Sequence, residues 1–82
     1  MDLYAAYLGG PLDGGRMGEG HEVVLVVAAD RAEATARALG KWRGAPPGHL
    51  DALECVHRVD GYTVTLARSD EPGDDVEMES FN

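Results

Sequence analysis

Two short His-acid segments carry the residue types best suited to chemistry. His21 precedes Glu22 directly, and His49 stands two residues before Asp51. Imidazole and carboxylate groups together bind first-row divalent cations such as Zn²⁺. They also suit general acid–base chemistry, because histidine titrates near neutrality. Both segments adjoin predicted strands, and they converge if those strands end at the same edge of a sheet. We therefore treat His21, Glu22, His49 and Asp51 as a candidate small-ligand or divalent-metal site.

A local structural role competes with this hypothesis, because the spacing matches no established metal signature. In that interpretation His49 and Asp51 form a turn or cap, and His21 bonds to loop backbone. We assign no catalytic residue, no enzyme activity and no cofactor beyond the metal of that candidate site.

Cys55 and His57 form a second pair that could act as a nucleophile and a base. The predicted register points both side chains toward the helix, where a cysteine behaves as a small hydrophobic residue. We expect Cys55 to be structural and His57 to lie at the edge of the core.

Two strands and one helix are predicted in the part of the chain before His49. Residues 3–8 read as a strand, and the six glycines of residues 9–20 predict a loop. The run 23–29 is rich in valine, which predicts a central strand buried on both faces. Asp30 and Glu33 are spaced as a helix-capping pair, and Gly40 or Gly44 ends that helix.

The helix and the C-terminal hairpin supply the remaining predictions of packing. Ala32, Thr35, Leu39 and Trp42 form the apolar stripe of the helix. Asp60 and Gly61 predict a two-residue turn with positive φ at both positions. Counting outward from this turn pairs residue 59 with 62, 57 with 64, 55 with 66 and 53 with 68.

Together these elements predict a single α+β domain over residues 1–68. The order ββαββ suggests a β-grasp-like roll or a two-layer sandwich. Residues 69–82 form a separate acidic tail with a short fifth strand over 75–80 as one option.

Charge is distributed unevenly along the 82 residues, whose net charge is −8. Residues 1–68 hold nine acids and seven bases, whereas the tail holds six acids and no base. The net negative charge argues against binding to nucleic acid or anionic membranes, although the argument against nucleic acid is weaker for residues 1–68, whose charges nearly balance. No secretory leader or membrane span is predicted, and the single cysteine forms no internal disulfide. We expect a cytoplasmic protein.

The tail and the helix end carry the candidate interface residues, which are Trp42, Val76, Met78 and Phe81. The tail is interpreted as a solubilising end, as an edge strand or inter-chain arm, or as a mimic of DNA phosphates. Trp42 is interpreted as core or as an exposed anchor. We expect a homodimer or another homo-oligomer.

Several segments in this order resemble a known family. They are LYAAYLGG at 3–10, His21-Glu22 before an aliphatic strand, Trp42, Gly48-His49-Leu50-Asp51 and Val59-Asp60-Gly61-Tyr62. In this combination the chain resembles the domain of unknown function 1543 (DUF1543) over about residues 1–67. Glu22 departs from the pattern, in which an Asp follows the His. The resemblance implies no reaction, cofactor or substrate.

Two functions remain as hypotheses. The first is a non-catalytic binding or interaction module that self-associates. The alternative is the small-ligand or divalent-metal site of the two His-acid segments, with catalytic use as an option.

Overall fold

A computed structural model describes residues 1–12 and 18–81 of the chain. This part contains the strands β1 (Asp2–Pro11), β2 (Glu19–Ala28), β3 (His49–Cys55), β4 (Arg58–Val59) and β5 (Tyr62–Thr63), and the helix α1 (Arg31–Gly40). The first three strands form an antiparallel sheet in the order β2-β1-β3, and β4 pairs with β5 in a separate two-stranded sheet. The fold is therefore α+β. No helix in the described residues is long and apolar enough to cross a membrane.

The centre of the larger sheet is β1, and β2 is an edge strand. The prediction that residues 23–29 form a central strand buried on both faces is therefore wrong, since Val23 is 59% exposed. The loop predicted over 9–20 is also too long. Strand pairing continues to Pro11 and resumes at Glu19, because hydrogen bonds to neighbouring strands outweigh the weak strand propensity of glycine. Residues 13–17 of that predicted loop lie outside the described residues.

The helix begins where its capping residues predict. The Asp30 carboxylate accepts a hydrogen bond from the Glu33 amide at 2.9 Å, and Glu33 Oε1 accepts one from the Ala29 amide at 3.1 Å. The helix ends at Gly40, with Lys41 as its C-cap. Gly40 is one of the two residues at which the sequence predicted the helix to end. The buried side chains are those of Ala34 and Ala38.

The predicted apolar stripe of the helix is thus only partly right. Leu39 is 36% exposed, whereas Ala34 and Ala38 are fully buried. Alanine methyl groups bring the helix axis close to the sheet, so the larger Leu39 is left at the rim. The core on the sheet side is formed by Tyr4, Ala6, Leu8, Val26 and Ala28.

Basic side chains of the helix region bond to the exposed edge of β2. The Lys41 ammonium donates to the Leu25 carbonyl at 2.8 Å, and the Arg37 guanidinium donates to the Val27 carbonyl at 2.7 Å. An edge strand presents unpaired backbone groups that invite pairing with another chain. These two bonds occupy two of the acceptors that such a chain would use along β2.

The Asp60-Gly61 turn forms as predicted, with φ values of 52° and 83°. Val59 pairs with Tyr62, and the Val64 amide donates to the His57 carbonyl at 2.8 Å. The predicted pairs beyond this point, 55 with 66 and 53 with 68, are wrong. β3 pairs with β1 along one edge, and residues 64–68 form no strand that would continue the hairpin along its other edge. The exact ββαββ arrangement is consequently not found.

The acidic tail forms no strand among residues 64–81, so the fifth strand expected over 75–80 is absent from this part. Alternating acids leave a strand there with little apolar surface to bury. Asp75 and Val76 instead line an open groove along the edge of β2, together with Leu25 and Lys41.

Tyr4 generates a prediction for alkaline stability. Burial is the largest cause that raises the pKa of Tyr4 above its usual value of 10.0, and the negative charges of Cys55, Asp2 and Asp30 raise this pKa further. The unfolded chain therefore ionises first, and the stability that neutral Tyr4 contributes is lost as pH rises above about 10. We expect Tyr4→Phe to lose less unfolding free energy than wild type between about pH 9 and pH 11.

Urea unfolding at several pH values measures this difference. Tyr62→Phe is the control, because Tyr62 is 78% exposed and its removal should leave the alkaline decline unchanged. Parallel declines of wild type and Tyr4→Phe would contradict the assignment.

Candidate functional site

Gly9 lies between the two histidines of the predicted site. On one side of the central strand it pairs with His21 of β2, and on the other side it pairs with His49 of β3. Residues paired directly across an antiparallel sheet project to the same face. The two imidazoles therefore flank Gly9 on the sheet face opposite the helix.

Asp51 joins them through an irregularity in β3. Tyr7 pairs with Ala52 while Leu8 pairs with Leu50, so Asp51 is an extra residue between two paired positions. Such a β-bulge bends the strand and redirects the side chain at the bulge. Here it places the Asp51 carboxylate beside both imidazoles.

The three side chains form a continuous polar cluster, which we call the His-Asp-His cluster (His21, His49 and Asp51). The His49 Nε2 atom lies 3.0 Å from Asp51 Oδ1, and the His21 Nδ1 atom lies 3.8 Å from Asp51 Oδ2. Both are contacts between an imidazole nitrogen and a carboxylate oxygen, and each becomes an ion pair when its histidine is protonated. The carboxylate therefore spans the two imidazoles.

The missing side chain of Gly9 makes room for this cluster. A Cβ atom at Gly9 would lie 2.8 Å from His49 Nε2, 3.1 Å from Asp51 Oδ2 and 3.2 Å from His21 Nδ1. The first of these distances is too short for a carbon atom. A side chain at this position would force the His49 imidazole to move and would crowd Asp51 and His21.

The cluster is accessible from outside. The side chains of His21, His49 and Asp51 are 65%, 50% and 46% exposed. Their charges are consequently screened by water, and the ion pairs contribute little to folding stability. A ligand could reach all three groups without a conformational change.

Glu22 does not join the other predicted site residues. It pairs with the buried Leu8, so it projects toward the helix side of the sheet, and its Oε1 accepts a hydrogen bond from the Arg43 amide at 3.2 Å. Adjacent strand residues project to opposite faces, which separates Glu22 from His21.

The distances within the cluster bear on its suitability for metal. Among the described residues, one group of His, Cys, Asp or Glu side chains has three ligand atoms that all lie within 4.8 Å of one another, and it is Asp2, Cys55 and His57. The His-Asp-His cluster is not such a group. Its ligand atoms are therefore not all within that distance of one another.

An apolar row lies next to the cluster on the same sheet face. Tyr7 pairs with Val23 on one side and with Ala52 on the other. Tyr7 is 42% exposed and Val23 is 59% exposed. Sequence reasoning missed both this row and Gly9, although the alternation of His21, Val23 and Leu25 was a signal for one shared face.

The candidate interface residues have different surroundings. The indole of Trp42 packs against the core beside Gly10 and Gly48, and its Nε1 donates to the Ala45 carbonyl at 2.9 Å. Val76 is 40%, Met78 75% and Phe81 84% exposed. The structure thus gives Trp42 a packing role, whereas Met78 and Phe81 lie in solvent.

Comparison with known proteins places the chain in a family. The family model described as Domain of Unknown Function (DUF1543) matches residues 16–66. A search of curated proteins and a search of solved structures found no match. The matched range contains both histidines and the aspartate of the cluster, the helix and the Asp60-Gly61 turn. The chain therefore belongs to the DUF1543 family.

Proposed function

We propose that this domain binds a small polar molecule at the His-Asp-His cluster and exchanges a proton with it. The observation that carries the proposal is the meeting of His21, His49 and Asp51 above Gly9. The three polar residues come from two strands 28 residues apart in sequence, measured from His21 to His49. A local turn or cap at residues 49–51 would not account for the position of His21.

The 3.0 Å contact between His49 and Asp51 supports the proton-exchange part. A carboxylate oxygen beside Nε2 favours a proton on that nitrogen, which leaves Nδ1 as an acceptor. His49 would then accept a proton from a ligand. His21, held near the other carboxylate oxygen, would donate one.

The neighbouring row of Tyr7, Val23 and Ala52 supports a ligand with two parts. A hydroxyl group, which both donates and accepts a hydrogen bond, complements the polar cluster. An apolar body beside that hydroxyl would cover the exposed row. A directly bound metal ion has less support here, because Asp51 spans the imidazoles.

Benzyl alcohol is a suitable first probe, because it carries one hydroxyl group on an apolar ring. We expect millimolar benzyl alcohol to shift the amide resonances of Gly9, His21 and His49 in a two-dimensional NMR titration. Benzylamine and benzoate, with the same ring and charged head groups, should shift them less. No shift of these resonances by benzyl alcohol would contradict the proposal.

Two alanine variants make the test specific. Gly9→Ala should weaken binding by roughly tenfold or more, the effect of losing about 1.4 kcal/mol, because its Cβ displaces the cluster. Its stability should be almost unchanged, since the displaced atoms are the ends of exposed side chains. Gly40→Ala is the matched control, because its Cβ meets no atom within 4 Å. Equal binding by the two variants would argue against the site.

A second candidate function is self-association through the same sheet face. The helix covers one face of the sheet, while Tyr7, Val23 and Val27 remain 42%, 59% and 36% exposed on the other. We propose a second copy of the chain as the occupant, because sheets pack face to face through such apolar rows. A twofold contact would also place each apolar row against an identical one.

Light scattering tests the self-association directly. We expect wild type to exceed the monomer mass of 8.7 kDa, and Val23→Lys to return it to that mass because lysine charges the contact face. Val59→Lys is the control, because Val59 is equally a strand valine, 51% exposed, but lies in the small hairpin. A monomeric wild type, or dissociation by both variants, would rule out this contact.

A further inference from the structure

A second cluster of chemically active side chains lies at the other end of the larger sheet. Asp2 begins β1, Cys55 ends β3, and His57 follows two residues later. β1 and β3 are antiparallel, with Tyr4 paired to Cys55, so the start of one lies beside the end of the other. The Val56 amide donates to the Leu3 carbonyl at 2.8 Å, which keeps the chain against β1 as far as Val56, the residue before His57.

The ligand atoms of these three residues converge. A carboxylate oxygen of Asp2, the sulfur of Cys55 and a ring nitrogen of His57 all lie within 4.8 Å of one another. The Cys55 sulfur is 4.0 Å from His57 Nδ1. In a tetrahedral zinc site, bonds of about 2.3 Å to sulfur and about 2.0–2.1 Å to nitrogen place these atoms about 3.5 Å apart. A movement of about half an ångström would therefore bring this pair to binding distance.

We propose that Asp2, Cys55 and His57 bind a divalent, thiolate-preferring cation such as Zn²⁺. Thiolate, imidazole and carboxylate form a donor set that suits Zn²⁺ and disfavours Mg²⁺ and Ca²⁺. The negative charges of the thiolate and the carboxylate balance the two positive charges of the ion. Three protein ligands leave the fourth tetrahedral position open to water or to another molecule.

The cluster of Asp2, Cys55 and His57 is packed against the core on one side and open to solvent on the other. Tyr4, which is 5% exposed, packs beside Cys55 on the helix side. Cys55 itself is half-buried, and His57 is exposed. An ion can therefore enter from the His57 side while the sulfur stays fixed against the core.

This site is separate from the His-Asp-His cluster. Asp2 and Gly9 are seven positions apart along β1, which corresponds to about 23 Å in an extended strand. The two proposals share no side chain. Failure of either one would leave the other untouched.

Cobalt titration of untagged, reduced protein is the direct test, because Co²⁺ bound to a thiolate has a charge-transfer absorption band in the near ultraviolet. We expect one Co²⁺ per chain, a band that saturates at that ratio, and loss of the band on adding one equivalent of Zn²⁺. Cys55→Ser should abolish the band, and His49→Ala should retain it. Absence of the band in wild type, or its loss in His49→Ala, would overturn the proposal.

Protection of the thiol provides a second readout that needs no change at Cys55. One equivalent of Zn²⁺ should slow the alkylation of Cys55 by iodoacetamide in wild type. His57→Ala and Asp2→Asn should each weaken this protection by more than the roughly 10–100-fold typical of losing a group that only orients a ligand. Both residues lie at the ends of the sheet pairing, so the variants should keep the fold. Undiminished protection in both variants would overturn the proposal.

Discussion

The pairing of β1 with two antiparallel partners is the constraint on which the rest of the structure depends. From Tyr4 to Gly9, each residue of β1 has a neighbour from β2 and another from β3, so β1 brings together two strands that are distant from each other in sequence. Gly9 meets His21 and His49, and Tyr4 meets Val26 and Cys55. A slip of one residue would move each side chain to the opposite face. The register is held by the buried row that includes Tyr4.

Two local features turn this register into a polar site. Gly9 leaves the space that the imidazoles and the carboxylate occupy, and the bulge at Asp51 adds an acid beside them. The core does not depend on either feature, because it lies on the helix side and is built around Ala34 and Ala38. The side chains of the site can therefore change without loss of the fold.

The features predictable from sequence are those decided by a few neighbouring residues. Asp30 and Glu33 satisfy helix amides within one turn, and Asp60 and Gly61 adopt positive φ within one hairpin. The pairing of β3 with β1 was not predictable in this way, because the two strands are distant in sequence and meet only in the folded sheet. The glycines after residue 8 led to the wrong prediction of a loop for the same reason, because their strand structure comes from pairing with other strands.

In the candidate site, too, the local features were predictable from sequence and the features that depend on strand pairing were not. Residue types alone identified His21, His49 and Asp51 as suited to one kind of chemistry, and spacing placed His49 and Asp51 near each other. The separation of Glu22 from His21 also follows from sequence, because adjacent strand residues face opposite ways. The role of Gly9 does not, since it requires the register of three strands.

The most direct test of the account is the response of the histidine ring resonances to Asp51→Asn. His21 is 30 residues from Asp51 in sequence, so only the strand register brings the two together. We expect the imidazole resonances of both His21 and His49 to shift in two-dimensional NMR spectra, while those of His57 at the other end of the sheet do not. A shift confined to His49 would contradict the register, and with it the His-Asp-His cluster.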